Sequence, residues 1–144
     1  MKGTWCAAMA VGMALVGCEA SHANADPVAV ALDQVFTLGG GREALIDGED
    51  LRLRFADVPE DSRCPERVEC FWTGQARVLI VVEPDGSEPT ALEFNTNPAP
   101  GQTISTVRVD EYTVEMTSLD PYPQSPEEPI ELADYRIGLM VKKD

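Results

Sequence analysis

From about residue 35 to the end of the chain, apolar residues alternate with polar ones in short runs. Residues 51–56 show this most clearly, because Leu51, Leu53 and Phe55 would face one way and the two arginines between them the other. Such alternation is typical of strands with one buried face, since successive side chains on a strand point to opposite sides. No stretch has the period of a convincing amphipathic helix. The pattern therefore restricts this part of the chain to β-structure.

The alternating runs predict about seven or eight short strands, separated by Gly, Pro, Asn and Asp residues. They are residues 35–38, 43–46, 51–56, 76–82, 90–96, 104–109, 112–116 and 135–141. In the runs 90–96 and 135–141 the side chains expected to face inward are Leu92, Phe94, Tyr135, Ile137, Leu139 and Val141. Residues 120–129 hold four prolines and predict an irregular loop. Residues 76–82 are continuously apolar, which predicts a central strand covered on both faces. The apolar positions change parity at residues 110–111, which predicts a tight turn or a β-bulge. We therefore predict an all-β fold, an antiparallel β-sandwich that is immunoglobulin-like, with a small barrel as the alternative.

The N-terminus carries one positive residue, Lys2, followed by an uncharged stretch over residues 5–16. This stretch is shorter than the roughly 20 residues that a membrane-spanning helix needs, and its length is typical of a secretory leader. It ends in residues 15–18, Leu-Val-Gly-Cys, which resemble the lipobox of bacterial lipoproteins. The resemblance implies that residues 1–17 are removed as a signal peptide and that Cys18 is lipidated and anchors the chain in a membrane. The alternative is an ordinary secretory leader with an incidental cysteine.

Residues 18–33 begin with a stretch rich in Ala, Asn, Asp and Pro and predict a flexible tether from Cys18. Residues 34–144 then form one all-β domain, a length that suits a single core. The one histidine, His22, falls in the tether. We expect a protein of the bacterial cell envelope, lipid-anchored, with its domain outside the cytoplasm. Glu19 favours the outer membrane, because an Asp at that position would resemble an inner-membrane retention signal.

The four cysteines divide into two groups. Cys6 lies in the leader and Cys18 is the lipidation residue, which leaves Cys64 and Cys70. A pair of cysteines in an exported protein predicts a disulfide, here closing a short loop. A zinc site is the alternative, but two cysteines without a nearby histidine would need other ligands. A catalytic redox pair is poorly supported, because five residues rather than two separate the cysteines.

The charge balance excludes several functions. The chain holds 25 acidic and 11 basic residues, and its formal net charge is −14. Nucleic acid is not an expected partner, because phosphate binding needs clustered Lys and Arg. One histidine, placed in the tether, excludes a Ser-His-Asp triad inside the fold. We predict no catalytic residues and no cofactor. A hydrolase built on two carboxylates stays an alternative, although a chance pair is expected among so many acidic residues.

Residues 59–74 are the most unusual stretch of the sequence. They contain Asp-Ser-Arg-Cys-Pro at 61–65 and Cys-Phe-Trp-Thr-Gly at 70–74. These motifs resemble a family of small bacterial lipoproteins and secreted proteins of uncharacterised activity, in which Ala stands at the position of Thr73. The resemblance is specific over the motifs and loose over residues 51–141. It implies export and an all-β domain, and it implies no activity.

Three interpretations of this stretch are open. In the first it is a braced structural loop, in which Arg63 pairs with a carboxylate such as Asp61 or Glu69, Trp72 packs on the disulfide, and Gly74 allows a bulge or a close approach. In the second the loop presents residues to a partner: Asp61, Ser62, Arg63, Glu66, Arg67, Glu69 and Trp72. In the third, a weak calcium candidate, the oxygen ligands come from Asp57, Glu60 and Asp61, although no EF-hand spacing supports it.

Together these features predict a lipid-anchored cell-envelope protein that acts as a binding or interaction module through its stapled loop. Its expected partners are the membrane, through the lipid anchor, and another envelope protein or a small ligand. Three alternatives remain: a structural envelope lipoprotein, a proteinase-inhibitor-like module and a carboxylate-based hydrolase.

Overall fold

The computed structural model describes residues 25–97 and 105–144, and nearly all of its regular structure is β-strand. The nine strands are β1 (Val28–Val30), β2 (Phe36–Gly39), β3 (Glu43–Ile46), β4 (Leu51–Asp61), β5 (Ala76–Pro84), β6 (Thr90–Asn95), β7 (Thr106–Val109), β8 (Tyr112–Asp120) and β9 (Arg136–Lys143). A single 3-10 turn, Leu132–Asp134, precedes β9. The all-β class predicted from the alternating pattern is confirmed.

The strands form two sheets. The first has the order β1-β3-β4-β5-β6 and the second the order β2-β9-β8-β7. Neighbouring strands run antiparallel, except that β1 lies parallel to β3 at an edge of the first sheet. Buried side chains from both sheets meet in one hydrophobic cluster. The molecule is therefore a β-sandwich, and of the two predicted architectures the sandwich is the one confirmed.

Much of the core consists of side chains that the alternation placed inside. In β4, Leu51, Leu53 and Phe55 are buried, whereas Arg52 and Arg54 are exposed. The same agreement holds for Tyr135, directly before β9, and within the later strands for Leu92, Phe94, Ile137, Leu139 and Val141. Burying each large apolar side chain stabilises the fold by about 1.5 to 3 kcal/mol. The two-residue period therefore identified the residues that hold the two sheets together.

Strand β4 is longer than predicted, because it continues past residue 56 to Asp61. Its pairing with β5 shifts register between Phe55 and Asp57, and again between Asp57 and Glu60. A bulge adds an unpaired residue and reverses which side chains face the core, so the alternation is lost in the sequence although the strand continues. This extension carries Asp61 to the end of the first sheet, where the candidate site begins.

Strand β5 corrects a second expectation. It is an interior strand but not the middle one, which is β4. Its buried side chains belong to alternate residues from Ala76 to Val82, and those between them are partly exposed. A strand of a two-layer sandwich faces the core on one side only, so a continuous apolar run did not require cover on both faces.

Strand β1 lies inside the segment that was predicted to be tether. Residues 28–30 pair with residues 44–46 of β3, and Val30 is buried against the core. The sequence signal was weak because a three-residue strand contains too few alternations to recognise. The domain therefore includes residues before the predicted start at 34.

Two predicted connections have the expected form. Val109 pairs with Tyr112, so residues 110–111 form a two-residue turn, and Asp110 has a φ of 50°. Asp is among the residue types that adopt such left-handed angles most readily. The proline-rich loop predicted over residues 120–129 is present from residue 121, since residues 121–131 form no strand or helix, whereas Asp120 still belongs to β8. Within residues 25–97 and 105–144, no helix has the length and apolarity needed to span a bilayer.

Candidate interaction site at the disulfide-closed loop

The chain between β4 and β5, residues 62–75, forms the loop that the sequence singled out. Its two arms remain hydrogen-bonded where the strands end. The Ser62 amide donates to the Gln75 carbonyl oxygen at 2.7 Å, and the Cys64 amide donates to the Thr73 carbonyl oxygen at 3.2 Å. The Gln75 amide donates to Ser62 Oγ at 3.2 Å. The loop therefore continues the β4–β5 hairpin beyond the end of the first sheet.

A disulfide joins Cys64 and Cys70, as the cysteine pair predicted, with the Cα atoms 5.9 Å apart. Within the ring that it closes, the Val68 amide donates to the Pro65 carbonyl oxygen at 3.1 Å. A covalent bond across so short a loop restricts the conformations open to it. The outer part of the loop is therefore held both by the disulfide and by its own turn.

A buried ion pair lies where the loop leaves β4. Arg63 donates from Nε to Asp61 Oδ1 at 2.8 Å and from Nη2 to Asp61 Oδ2 at 2.7 Å. The Tyr135 hydroxyl donates to Asp61 Oδ2 at 2.7 Å. The side chains of Arg63 and Asp61 are 7% and 11% exposed. The bidentate pair predicted for Arg63 is therefore present, with Asp61 rather than Glu69 as its partner.

Arg63 also connects the loop to the second sheet. Its Nη1 donates to the Leu119 carbonyl oxygen at 2.9 Å, and its Nη2 donates to the Pro121 carbonyl oxygen at 3.0 Å. The guanidinium carbon lies 5.0 Å from the centroid of the Tyr122 ring, within the range of a cation–π interaction. Leu119 belongs to β8, so one side chain satisfies polar groups of both layers.

The electrostatics of this cluster favour the charged pair. Burial opposes ionisation of Asp61, but the hydrogen bonds from Arg63 and Tyr135 outweigh it and lower the pKa of Asp61. Burial also opposes the charge on Arg63, yet the contact with Asp61 leaves the pKa of Arg63 raised. Burial and the hydrogen bond to Asp61 both raise the pKa of Tyr135, so its hydroxyl keeps its proton. At neutral pH Asp61 and Arg63 are therefore charged and Tyr135 is neutral, and this fixed arrangement suits a brace.

Gly74 is required by the close approach of the two arms. Its φ is +66°, an angle that favours glycine. A Cβ added at this position would overlap the carbonyl group of Ser62 on the opposite arm. Asn97 also reaches this arm, since its Nδ2 donates to the Gly74 carbonyl oxygen at 3.0 Å. The close approach predicted for Gly74 is therefore confirmed.

The outer side of the loop is apolar and exposed. Phe71 is 102% exposed, Trp72 is 68% exposed and Val68 is 41% exposed. We call these three residues the apolar tip. Trp72 is therefore mostly in solvent, although the sequence suggested that its ring packs on the disulfide. The charged residues of the same stretch are exposed as well: Glu66, Arg67 and Glu69.

The loop after β8 supports the disulfide ring from one side. The Glu66 amide donates to the Pro123 carbonyl oxygen at 3.1 Å, and the Arg67 amide donates to the Gln124 carbonyl oxygen at 3.3 Å. Between the two loops lies an open cavity of about 520 Å³. Its lining includes Cys70, Trp72, Pro126, Ile130 and Tyr135. The ring is thus fixed against a second loop as well as against its own arms.

The structure separates the residues predicted to face a partner. Those on the inner side are engaged with the protein itself: Asp61, Ser62 and Arg63. Those on the outer side are exposed: Glu66, Arg67, Glu69 and Trp72. The interpretation in which Arg63 is displayed is therefore corrected, because its charge is neutralised by Asp61 in a buried position. The interpretation as a structural brace therefore applies to Asp61 and Arg63, and the interpretation as a surface presented to a partner applies to the exposed residues of the same loop.

The described residues give the calcium interpretation no support. The carboxylate of Asp61 is occupied by Arg63 and Tyr135, and Glu60 lies 3.7 Å from the guanidinium of Arg77. The Asp57 carboxylate accepts a hydrogen bond from the Val58 amide at 2.8 Å. Among residues 25–97 and 105–144, no group of three metal-ligating side chains is close enough to hold an ion.

Sequence reasoning missed three residues of the site. Tyr135 was assigned to the core, and its hydroxyl reaches Asp61 from a position 74 residues away. Tyr122 was placed in an irregular loop without a role. Phe71 lies inside the motif. Nothing in the sequence predicted that it is fully exposed, because Phe is among the residue types that are most often buried.

Several predictions lie outside the described residues. These include the signal peptide over residues 1–17, the lipidation of Cys18 and the positions of Cys6 and His22. The membrane anchor therefore stays a prediction from the sequence.

Comparison with known proteins does not identify the chain. No protein-family model, no curated protein and no solved structure matches it. Its function must therefore be inferred from the geometry of the loop and from the sequence before it.

The disulfide has a measurable effect on stability. Replacing both Cys64 and Cys70 with Ser should lower the free energy of unfolding by about 2 kcal/mol, because the bond restricts a short loop in the unfolded chain. Urea unfolding without reductant measures this loss. Reductant should reproduce it in the wild type and leave the double variant unchanged. A reductant effect of equal size in both proteins would contradict the assignment.

Proposed function

We propose that this protein is a lipid-anchored module of the bacterial cell envelope that acts by binding, and that it binds through the outer side of the disulfide-closed loop. The contrast between the two sides of the loop carries this proposal. The inner side is fixed by the Asp61–Arg63 pair, whereas the outer side exposes Phe71 and Trp72. Loops held by a rigid scaffold often carry recognition.

The exposed apolar side chains are concentrated in this loop. Seven large apolar side chains are exposed in the described residues, and three of them lie within residues 68–72. Scattered single exposures are ordinary on protein surfaces, but a cluster typically marks a contact with another surface. A connection needed only to join β4 to β5 would have no reason to expose Phe71 completely.

The anchor rests on the leader. Residues 15–18 resemble a lipobox, and the motifs at residues 61–65 and 70–74 resemble secreted proteins that often carry such leaders. The disulfide between Cys64 and Cys70 is compatible with an oxidising compartment outside the cytoplasm. These observations support an envelope location for the module.

Site-specific photo-cross-linking in living bacteria tests the proposal. The full chain would carry a photoreactive amino acid at the exposed position of Arg67 or, as a matched control, at Val35, which is 60% exposed and outside the loop. We expect covalent adducts from position 67 at several times the yield from position 35. Equal yields from the two positions would contradict binding through the loop.

Metabolic labelling of bacteria that produce the full chain tests whether Cys18 is the lipidated residue. Labelled palmitate should be incorporated by the wild type and by Cys6→Ala, because Cys6 lies in the discarded leader. Cys18→Ala should incorporate none. Labelling of Cys18→Ala at the wild-type level would contradict the assigned lipidation residue.

A further inference from the structure

Strand β1, close to the start of the described chain, has its N-terminal end directed toward the disulfide-closed loop. Val28 of β1 pairs with Ala44 of β3, and Ala44 pairs with Leu53 of β4. Since β1 runs antiparallel to β4, the residues before Val28 continue in the direction in which β4 runs to Asp61. The chain that leads back to Cys18 therefore leaves the first strand toward the end of the sandwich that carries the apolar tip.

A second contact shows how far along β4 the first described residues lie. Arg42 donates from Nη2 to the Asp26 carbonyl oxygen at 3.4 Å, and the Arg42 carbonyl oxygen accepts the Phe55 amide at 3.0 Å. Asp26 is thus level with the middle of β4, near Phe55. From Phe55 to Asp61 the strand covers about 20 Å or less, at roughly 3.3 Å per residue.

The chain available to reach a membrane is short. The eight residues from 18 to 25 span at most about 29 Å even when fully extended. Measured from Asp26, this length lets Cys18 reach the level of the end of β4 and at most about 10 Å beyond it. A lipid surface that holds Cys18 therefore lies close to the end of the sandwich from which the loop projects.

We propose that the apolar tip docks on the lipid surface in which Cys18 is anchored, so that the module contacts its membrane at two points. This inference rests on the proposed function, because it requires the anchor at Cys18. It names the partner of the loop as the lipid bilayer itself.

The chemistry of the tip suits the boundary between lipid and water. Trp has an apolar ring and a polar N–H group, and such residues are enriched at membrane interfaces. Phe71 adds a fully exposed aromatic ring beside Trp72. Because the loop is braced before contact, docking does not have to order it, which lowers the entropic cost.

The charges around the tip indicate which lipids it contacts. Glu66, Arg67 and Glu69 together contribute a net negative charge, and the whole chain is strongly acidic. Attraction to anionic headgroups is therefore absent, and docking depends on apolar contact. We expect binding to zwitterionic lipids that changes little with salt concentration.

Because the lipid anchor holds the domain beside the membrane, even a weak contact of the apolar tip is sufficient for docking. A few exposed apolar side chains give a low affinity on their own. A short tether converts docking into an intramolecular event, with an effective concentration on the order of millimolar. The domain without its anchor should therefore not bind vesicles measurably, whereas the anchored chain should keep its tip on the membrane.

Trp72 reports on docking directly, because the other tryptophan, Trp5, is removed with the leader. The acylated chain would be purified from bacterial membranes and reconstituted into phosphatidylcholine vesicles, with or without bromine on the acyl chains. We expect the emission of Trp72 to shift to shorter wavelength on reconstitution. Brominated lipid should reduce it at least about twofold, because an interfacial side chain lies within reach of the acyl region.

Two variants make the test specific. Phe71→Ser removes one aromatic ring of the tip without touching the brace, and it should weaken the quenching by at least about half. Val35→Ser removes a comparable exposed side chain outside the loop and should leave the quenching unchanged. Equal effects of the two variants would overturn the assignment to the tip.

The outcomes separate this inference from the proposed function. An acylated chain whose Trp72 is neither shifted nor quenched overturns lipid docking and leaves a binding module with another partner. Protection of Trp72 in whole envelopes but not in vesicles also overturns it and indicates a protein partner. Absence of acylation in the purified chain overturns both.

Discussion

Replacing Arg63 with Ala is expected to lower the free energy of unfolding by about 3 to 5 kcal/mol, measured by urea or guanidinium unfolding. The variant leaves the carboxylate of Asp61 buried with only the Tyr135 hydroxyl as a side-chain partner. It also removes the donors to the carbonyl oxygens of Leu119 and Pro121. An unpaired buried charge and unsatisfied buried acceptors are among the most costly defects in a folded protein.

The matched control is Arg77→Ala. Arg77 makes a bidentate pair with Glu93 at 2.9 and 2.8 Å, close to the geometry of the buried pair. Its side chain is 39% exposed, however, so water replaces the lost partner. Exposed pairs contribute less than about 1 kcal/mol. Equal losses for the two variants would contradict the view that burial makes the Arg63 pair important.

The pH dependence of the same pair has a definite sign. The pKa of Asp61 is lowered in the folded protein, so its stabilising contribution is present above the unfolded pKa of about 3.9. It is lost as the pH falls through the folded pKa. In Arg63→Ala that contribution is already missing. We therefore expect the stability difference between wild type and variant to be largest near neutral pH and to narrow below about pH 4. A difference that grows in acid would contradict the ion pair.

Gly74→Ala is expected to lower the free energy of unfolding by about 3 kcal/mol or more. The left-handed angle at position 74 costs about 1 to 2 kcal/mol for a residue with a Cβ. The added methyl group would also overlap the Ser62 carbonyl group, which belongs to the backbone. The backbone of Ser62 is held in place by the hydrogen bond from its amide to the Gln75 carbonyl oxygen. Separating the two arms breaks the ladder that supports the disulfide ring.

Gly48→Ala separates these two contributions. Gly48 has a φ of +77°, comparable with +66° at Gly74, but no atom lies within 4 Å of a Cβ at that position. The control should therefore show only the conformational cost, about 1 to 2 kcal/mol. Unfolding experiments on both variants measure the difference. Equal losses would mean that the arms move apart freely, and the close packing of the loop would then be contradicted.

The strands that were easy to predict share one property. None of β3, β6 and β9 contains a bulged residue of its own, and their observed bounds differ from the predicted ones by at most two residues. Strand β4 was predicted only up to its first bulge, since the bulges erase the two-residue period. Strand β1 was missed because its pairing with β3 depends on a distant neighbour and not on its own three residues.

The loop shows the same division. The disulfide and the pairing of Arg63 with Asp61 were predictable, because both join residues that are close in the sequence. The hydrogen bond from Tyr135 to Asp61 and the contacts of Arg63 with the end of β8 join residues more than 50 positions apart. No local pattern reports such pairs, so the sequence left open whether Arg63 braces the loop or faces a partner.

By itself, the amino-acid sequence determined the all-β class, the core face of most strands and the disulfide, because side-chain alternation and cysteine pairing are local properties. Only the tertiary structure decided which loop residues are buried and which are exposed. That outcome depends on how the two sheets meet, because the end of β8 brings the Leu119 carbonyl oxygen to the Asp61–Arg63 pair and the residue before β9 brings the Tyr135 hydroxyl. The same packing supports the loop from its inner side and leaves Phe71 and Trp72 in solvent.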